Sequence, residues 1–401
     1  LNRPSTGAVS QTDTPFDPDA GTVPTEVDPE EVRRAYRGAM MPGEMTALFR
    51  RTEALFPSRI VSRGKGPATP IPKSAKGLPD LAIASGGKTY DLYDYVSRNR
   101  TTGLLVLKDG ISKFEHYEAG NTPQTRWISM SMAKSVTTTL IGAAIRDGLI
   151  DHVDQLLTDY LPELAGTAYG DVTIRHLMQM SSGVQWNEEH TDLTSHRTDV
   201  LNLQIGQQPG TILKYMAALP KMAPSGTLWN YSTGETYVAG ELLHRAIGRP
   251  LSHYLSEKIW SRVGMESDAS WWLESPDGLE VAGSGIGATL RDYARFGAFI
   301  ADDGCIGTER VLPEGWVREA GAPRTIGDQE VAYGYMWWCV PSPTRGYEDG
   351  AFAARGIFGQ FLYVNPKRKI VIAVTSARSK PRFAEVVLDN DFFNAVVDAI
   401  G

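Results

Sequence analysis

Ser131 and Lys134 stand three residues apart in the stretch 127–148, WISMSMAKSVTTTLIGAAIRDG. Residues at i and i+3 share one face of a helix, so the Ser131 hydroxyl can lie beside the Lys134 amine. At a helix start the free backbone N–H groups favour developing negative charge. A lysine among apolar neighbours holds its proton less firmly, because burial disfavours the charged form, and it becomes a usable proton acceptor. The pair is an activated nucleophile in outline. Taken alone, Ser-x-x-Lys is also what chance supplies, with helix caps and surface lysines as the ordinary explanation.

The element that positions the pair is readable. Val136, Leu140, Ala143 and Ala144 recur at helical spacing, and Gly148 follows Asp147 where a left-handed cap would close the helix. A membrane span over 128–145 is excluded, since Lys134 and several hydroxyls interrupt it. A serine and a lysine still need a group that passes a proton to the leaving group, and a hole for the oxyanion. Tyr231 is the candidate relay. It lies in 224–236, PSGTLWNYSTGET, which reads as a turn running into a helix. A positive charge nearby would lower the pKa of its phenol; by itself, a tyrosine there is equally a structural one.

The rest of the chain supplies the frame. Residues 1–28, rich in Thr, Pro, Asp and Gly without apolar periodicity, read as an arm, disordered or draped over the body. Residues 29–84 read as a helical and loop extension, with EEVRRAYRGAM and EMTALFRRTEALF separated by Met41-Pro42-Gly43. Residues 102–117 are two strands around Asp109-Gly110, a strong hairpin signal. A long, mostly helical middle follows, including a capped helix start at Thr289-x-x-Asp292. Strands return at 333–340, 359–364 and 369–376, and 382–400 reads as a closing helix.

This order predicts an α/β protein of the α+β kind. Residues 85–160 and 291–401 form one antiparallel sheet flanked by helices, and 161–290 form an inserted, mostly helical lobe, with Ser131 in the cleft between them.

The bulk numbers narrow the partners. The chain has 401 residues, 42% hydrophobic and 22% charged, which is ordinary for a soluble globular protein. Lys+Arg 40 against Asp+Glu 47 leaves a net charge of −7, which argues against nucleic acid as the main partner. Cys305 and Cys339 make neither a disulfide framework nor a metal spacing and read as reduced thiols. His190 and His196, near Glu188, Glu189 and Asp192, lack a zinc-binding spacing and read as a solvated loop. No metal, cofactor or membrane partner is expected, a small molecule is the expected partner, and a homodimer is left open. The cytoplasm is the default location, with the periplasm or the exterior the alternative if a leader preceded Leu1.

These residues carry a family resemblance. Ser131-Met-Ala-Lys134, Tyr231-Ser-Thr233 and Gly356-Ile-Phe-Gly359-Gln360 resemble, in order, the three motifs of the serine β-lactamase and penicillin-binding superfamily, in its class C and esterase branch. The segments HLMQMSSGVQWNEE (176–189), GATLRDYARFG (287–297) and GIFGQFLYVNP (356–366) are similar to the 6-aminohexanoate-dimer hydrolases, the nylon-oligomer amidases. The resemblance covers roughly residues 85 to 401 and implies a β-lactamase/DD-peptidase-like fold. It implies Ser131 as acylated nucleophile, Lys134 as its proton partner, and Tyr231 as base in acylation and acid to the leaving group. The backbone N–H groups of Ser131 and Gln360 would form the oxyanion hole. Trp186 matches an aromatic that closes over substrate, and Thr233, Ile357, Phe358 and Gly359 would touch it.

Two departures shape the functional expectation. Thr233 stands where the β-lactamase pattern has Asn, and Ile357-Phe358-Gly359 replaces the Lys/His-Thr-Gly triplet, leaving no cation there for a β-lactam carboxylate. Both favour a serine hydrolase of small linear amides or esters with an apolar cleft. The alternatives are a β-lactamase or D-alanyl-D-alanine carboxypeptidase, and a catalytically silent binding or sensor domain.

Overall fold

The computed structural model describes residues 21–23 and 25–401, so most of the arm read at 1–28 lies outside the described residues. The main sheet has six antiparallel strands: β1 (Thr101–Lys108), β2 (Ile111–Tyr117), β3 (Trp338–Cys339), β4 (Phe352–Gly356), β5 (Gln360–Asn365) and β6 (Ile370–Ser376), in the order β3-β4-β5-β6-β1-β2. Early and late strands meet at β6 and β1, with Ile372 opposite Val106. Asp109 and Gly110 both have positive φ, 53° and 74°, the twist that a two-residue hairpin turn requires.

Successive strand residues face opposite sides, and here both sides are covered. Leu105, Leu107, Leu362, Val371 and Ala373 join the core containing α1 (Met132–Arg146) and α3 (Leu290–Ala301); α2 (Thr233–Ile247) packs in the same core. Leu104, Val106, Phe361, Ile372 and Val374 face α4 (Asp389–Ile400) through Phe392, Phe393 and Val396. This is the antiparallel sheet flanked by helices that the element order implied.

A second sheet was not legible in the sequence. Its five short strands run in the order Thr22–Val23, Ser58–Val61, Ala269–Trp272, Ile286–Thr289, Arg126–Ile128. It ties the N-terminal extension to the chain entering α1. The last pairing sets Trp127 opposite Ala288, and Ser129 N–H donates to the Ile286 carbonyl at 2.7 Å.

Three local readings change. Within 333–340 only Trp338–Cys339 is strand, because Met336 turns the chain with φ 56°. The last helix begins at Asp389, and Phe383 (φ 56°) interrupts the residues before it. Near His190 the chain is an irregular loop with Glu189 and Thr191 exposed, as expected, but His190 itself is buried, and Ser195 caps a helix, His196–Gly206, by accepting from Thr198 N–H at 3.1 Å. Cys305 and Cys339 are free thiols. Among the described residues no helix is long and apolar enough to cross a membrane.

α1 ends as its sequence implies, with Gly148 left-handed (φ 72°) and Leu149 N–H reaching back to the Ala144 carbonyl at 2.9 Å. Midway along it, a Cβ on Gly142 would meet the Trp316 ring at 2.5 Å, and that ring is itself buried. Gly142→Val is expected to destabilise the fold by about 1–3 kcal/mol through overpacking. Calorimetry should show a melting temperature lower by several degrees; an unchanged value would mean that Trp316 moves aside freely.

Candidate active site

Ser131 is the N-cap residue of α1, and the residue before it, Met130, is held in the left-handed region at φ 46°. Such strain in a non-glycine residue persists only where the surroundings fix it. Here the fixing group is Ser129, whose hydroxyl donates to the Met130 carbonyl at 2.9 Å and accepts from Ile286 N–H at 3.0 Å. The second sheet therefore aims the start of α1.

Lys134 Nζ donates to Ser131 Oγ at 2.8 Å and to the Gly283 carbonyl at 3.1 Å. Its side chain is buried. Burial pulls its pKa down to about 7, with Glu188 opposing that fall and Arg197 and Arg382 adding to it. The lysine is thus shared between charged and neutral forms near neutrality, as the apolar stretch suggested.

Tyr231 sits two residues before α2, and Lys134 Nζ lies 5.3 Å from its ring centroid. Its neighbours are aromatic, with Trp338 at 5.4 Å and Tyr333 at 6.0 Å between ring centroids. The expected fall in the Tyr231 pKa does not occur. Burial pushes it up and Glu188 adds to the rise, against the lowering effect of the Ser131 hydroxyl. The resting phenol is neutral.

Ser131, Tyr231, Ile357 and Gly359 line one cleft of about 530 Å3, with Trp229, Trp338 and Phe361 among its walls. A larger hollow of about 670 Å3, lined by residues such as Pro42, Arg50 and Arg100, shares no lining residue with it and lacks the Ser131–Lys134 pair.

The other residues singled out in the sequence divide between the cleft and the structure behind it. Gln360 is fully buried and pairs with Gly356 across a hairpin; its carboxamide oxygen accepts from Trp127 Nε1 at 2.9 Å and from Ser376 N–H at 3.1 Å. The cause is the turn 357–359, left-handed at Phe358 (64°) and Gly359 (87°), which returns Gln360 into the sheet. Ile357, at the start of that turn, lines the cleft instead. Phe358 points into the core, 5.4 Å from Phe49 between ring centroids. Trp186 is buried and stacks on His196 at 5.8 Å, so it packs behind the cleft and does not line it. Thr233 is likewise buried.

What links Trp186 and Thr233 is Glu188, which sequence reading assigned to solvent. Its Oε2 accepts from Trp186 Nε1 at 2.6 Å and from Thr233 N–H at 2.9 Å, and its Oε1 accepts from the Thr233 hydroxyl. His190 Nε2 lies 3.6 Å from Oε1. Burial would raise the Glu188 pKa, but the charges of Lys134 and Arg197 and the Thr233 hydroxyl hold it below the usual value. Burial brings His190 down to about 3, against the pull of Glu188, so its imidazole is neutral. Both residues line the cleft. No spacing signal marks them, because Glu188 and Thr233 lie 45 residues apart.

A six-stranded antiparallel sheet flanked by helices thus carries a helix with a serine and a lysine at its mouth, beside a tyrosine that precedes α2. The chain belongs to the Beta-lactamase family, whose model matches residues 95–393. It is 30% identical over 348 residues to the 6-aminohexanoate-dimer hydrolase of Paenarthrobacter ureafaciens, covering 83% of this chain and 85% of that one. A Bacillus anthracis protein described as a candidate 6-aminohexanoate-dimer hydrolase superposes with a TM-score of 0.78 at 23% identity, over 93% of this chain and 97% of that one. A family VIII carboxylesterase gives a TM-score of 0.56 at 17% identity, over 74% of this chain and 91% of its own.

The Lys134 pKa sets the sign of a stability test. Its folded value, about 7, lies below the unfolded 10.5, so between those values the unfolded chain binds more protons and stability rises with pH. Lys134→Met removes this titration. Its stability relative to the parent should therefore be more favourable at pH 6 than at pH 9 by roughly 2 kcal/mol. Urea unfolding at the two pH values measures this; a pH-independent difference would mean that Lys134 stays charged throughout.

Proposed function

We propose that the protein is a cofactor-independent hydrolase of small linear amides or esters, acting through an acyl-Ser131 intermediate. The observation that carries this reading is the 2.8 Å hydrogen bond from the buried Lys134 amine to Ser131 Oγ, beside Tyr231 in one cleft. Neutral Lys134 accepts the Ser131 proton as Oγ bonds to the carbonyl carbon. The tetrahedral oxyanion is met by Ser131 N–H at the helix start. The second donor is the backbone N–H of Gln360, as the motif resemblance implies; its carboxamide is spent on Trp127 and Ser376, which leaves the role to the main chain. Tyr231 then protonates the leaving nitrogen or oxygen as its bond to carbon breaks, and the Lys134 ammonium returns a proton to the phenolate. Water attacks the acyl-enzyme by the reverse sequence, releasing the acid and restoring Ser131.

Tyr231 thus acts first as an acid, with Lys134 as the base, because the phenol is neutral and the amine is near its titration point. Thr233 and Trp186 serve indirectly, by holding Glu188. The relative named for 6-aminohexanoate dimer makes that linear amide the first substrate to try.

The test is labelling by a fluorophosphonate probe, followed by turnover of a short p-nitrophenyl ester, 6-aminohexanoate dimer and a chromogenic cephalosporin. Labelling is expected in the parent and absent in Ser131→Ala; an unlabelled parent would sink the hydrolase reading, and dominant cephalosporin turnover would reassign the substrate. Tyr231→Phe should lower kcat about 10²–10⁴-fold. The acid limb of kcat/KM should fall near pH 7, where Lys134 takes up a proton; a limb below pH 5 would remove Lys134 from the role of base.

A further inference from the structure

Three arginines line the cleft, Arg355, Arg378 and Arg382. Arg378 is neutralised. Its Nη2 and Nη1 reach the two oxygens of Asp389 at 2.5 and 3.0 Å, and Nη1 also faces Glu385 at 3.4 Å. Arg355, one residue before Gly356 in β4, has no such partner. It donates from Nη2 to the neutral Asn390 Oδ1 at 2.6 Å, its buried Nε has no partner, and it makes no ion pair among the described residues. Its guanidinium carbon lies 5.9 Å from the ring centroids of both Trp338 and Phe361, two walls of the cleft. Asp389 and Glu385 favour its charge from a distance while bonding Arg378, and burial works against that charge.

Arginine does not shed its proton in proteins. A guanidinium set between aromatic walls, with donors unspent, remains costly until an anion meets it. Glu188, the cleft's other buried carboxylate, has both oxygens engaged by Thr233 and Trp186. Arg382 adds positive charge nearby, its one donated contact among the described residues being the Glu188 carbonyl at 3.4 Å.

We propose that Arg355 binds a carboxylate carried by the substrate away from its scissile bond, so that the protein acts on anionic linear amides or esters. This rests on the serine-hydrolase reading above. The planar guanidinium can offer parallel N–H groups to both carboxylate oxygens, and the aromatic walls limit the screening by water that would weaken the pair.

Two ester pairs test this, with the charge on either side of the bond. They are p-nitrophenyl octanoate against mono-p-nitrophenyl suberate, and 4-methylphenyl butanoate against 3-(4-butanoyloxyphenyl)propanoate. In at least one pair the parent should prefer the carboxylate ester by about tenfold or more in kcat/KM, and Arg355→Met should lower that ratio by about tenfold, with Arg355→Lys intermediate. A ratio near one in the parent, or one unchanged in Arg355→Met, overturns the inference while leaving the hydrolase reading standing. No turnover of the neutral esters and no fluorophosphonate labelling would remove the hydrolase reading and this inference with it. If Arg355→Met does not fold, competitive inhibition of the parent decides: tighter inhibition by hexanoate than by hexanamide, by about tenfold, supports the inference, and equal inhibition overturns it.

Discussion

The structure around the cleft depends on keeping the Lys134 amine out of water without leaving it unbonded. The amine has two anchors, Ser131 Oγ and the Gly283 carbonyl. One belongs to the helix that carries the lysine, the other to the chain just before a strand of the second sheet. That sheet also pairs the strand leading into α1 and fixes the strained backbone at Met130 through Ser129. The small sheet thus determines where the lysine's second anchor sits and which way the serine faces. The six-stranded sheet supplies the platform.

Glu188 is the counterweight to this arrangement. A carboxylate buried beside a lysine of lowered pKa would be costly alone, but three hydrogen bonds and a facing His190 hold it. Its charge favours the protonated lysine and the neutral tyrosine together, so it resists the ion separation that a bare Lys–Tyr pair would undergo. This also accounts for Thr233. Its side chain and its own N–H both serve Glu188, an arrangement that joins the 186–190 loop to the start of α2 just after Tyr231. The departure from Asn at this position is therefore part of an internal bond network.

Patterns within one element were legible. The α1 helix, its cap at Gly148, the Asp109-Gly110 hairpin and the Thr289 helix start all follow from local spacing and turn chemistry. So did the pairing of early with late strands, since the hydrophobic runs at both ends needed a common sheet. The second sheet escaped because its strands are two to four residues long and too short for alternation to show. Glu188 and His190 escaped for another reason: polar residues in an irregular stretch look solvated unless the residues that bury them are known, and those lie in distant segments. Tyr231 was placed in the right cleft with the wrong direction of pKa shift, because proximity to a lysine was legible and burial was not.

The motif at 356–360 shows how far a sequence pattern fixes a position without fixing a surface. Left-handed φ at Phe358 and Gly359 makes this stretch a tight turn between β4 and β5, so adjacent side chains diverge: Ile357 to the cleft, Phe358 to the core, Gln360 into the sheet. Gly359 is required twice over. Its backbone is left-handed, and a Cβ there would come within 2.4 Å of Arg378 Nε. Arg378 is in turn held by Asp389, the first residue of α4. The turn is thus shaped by a buried ion pair from the end of the chain, and the charge presented by this wall comes from the flanking strand and the α4 approach. A motif comparison at 357–359 finds an apolar triplet, yet the surface that substrate meets carries Arg355 one residue before Gly356, and reading its charge requires the tertiary structure.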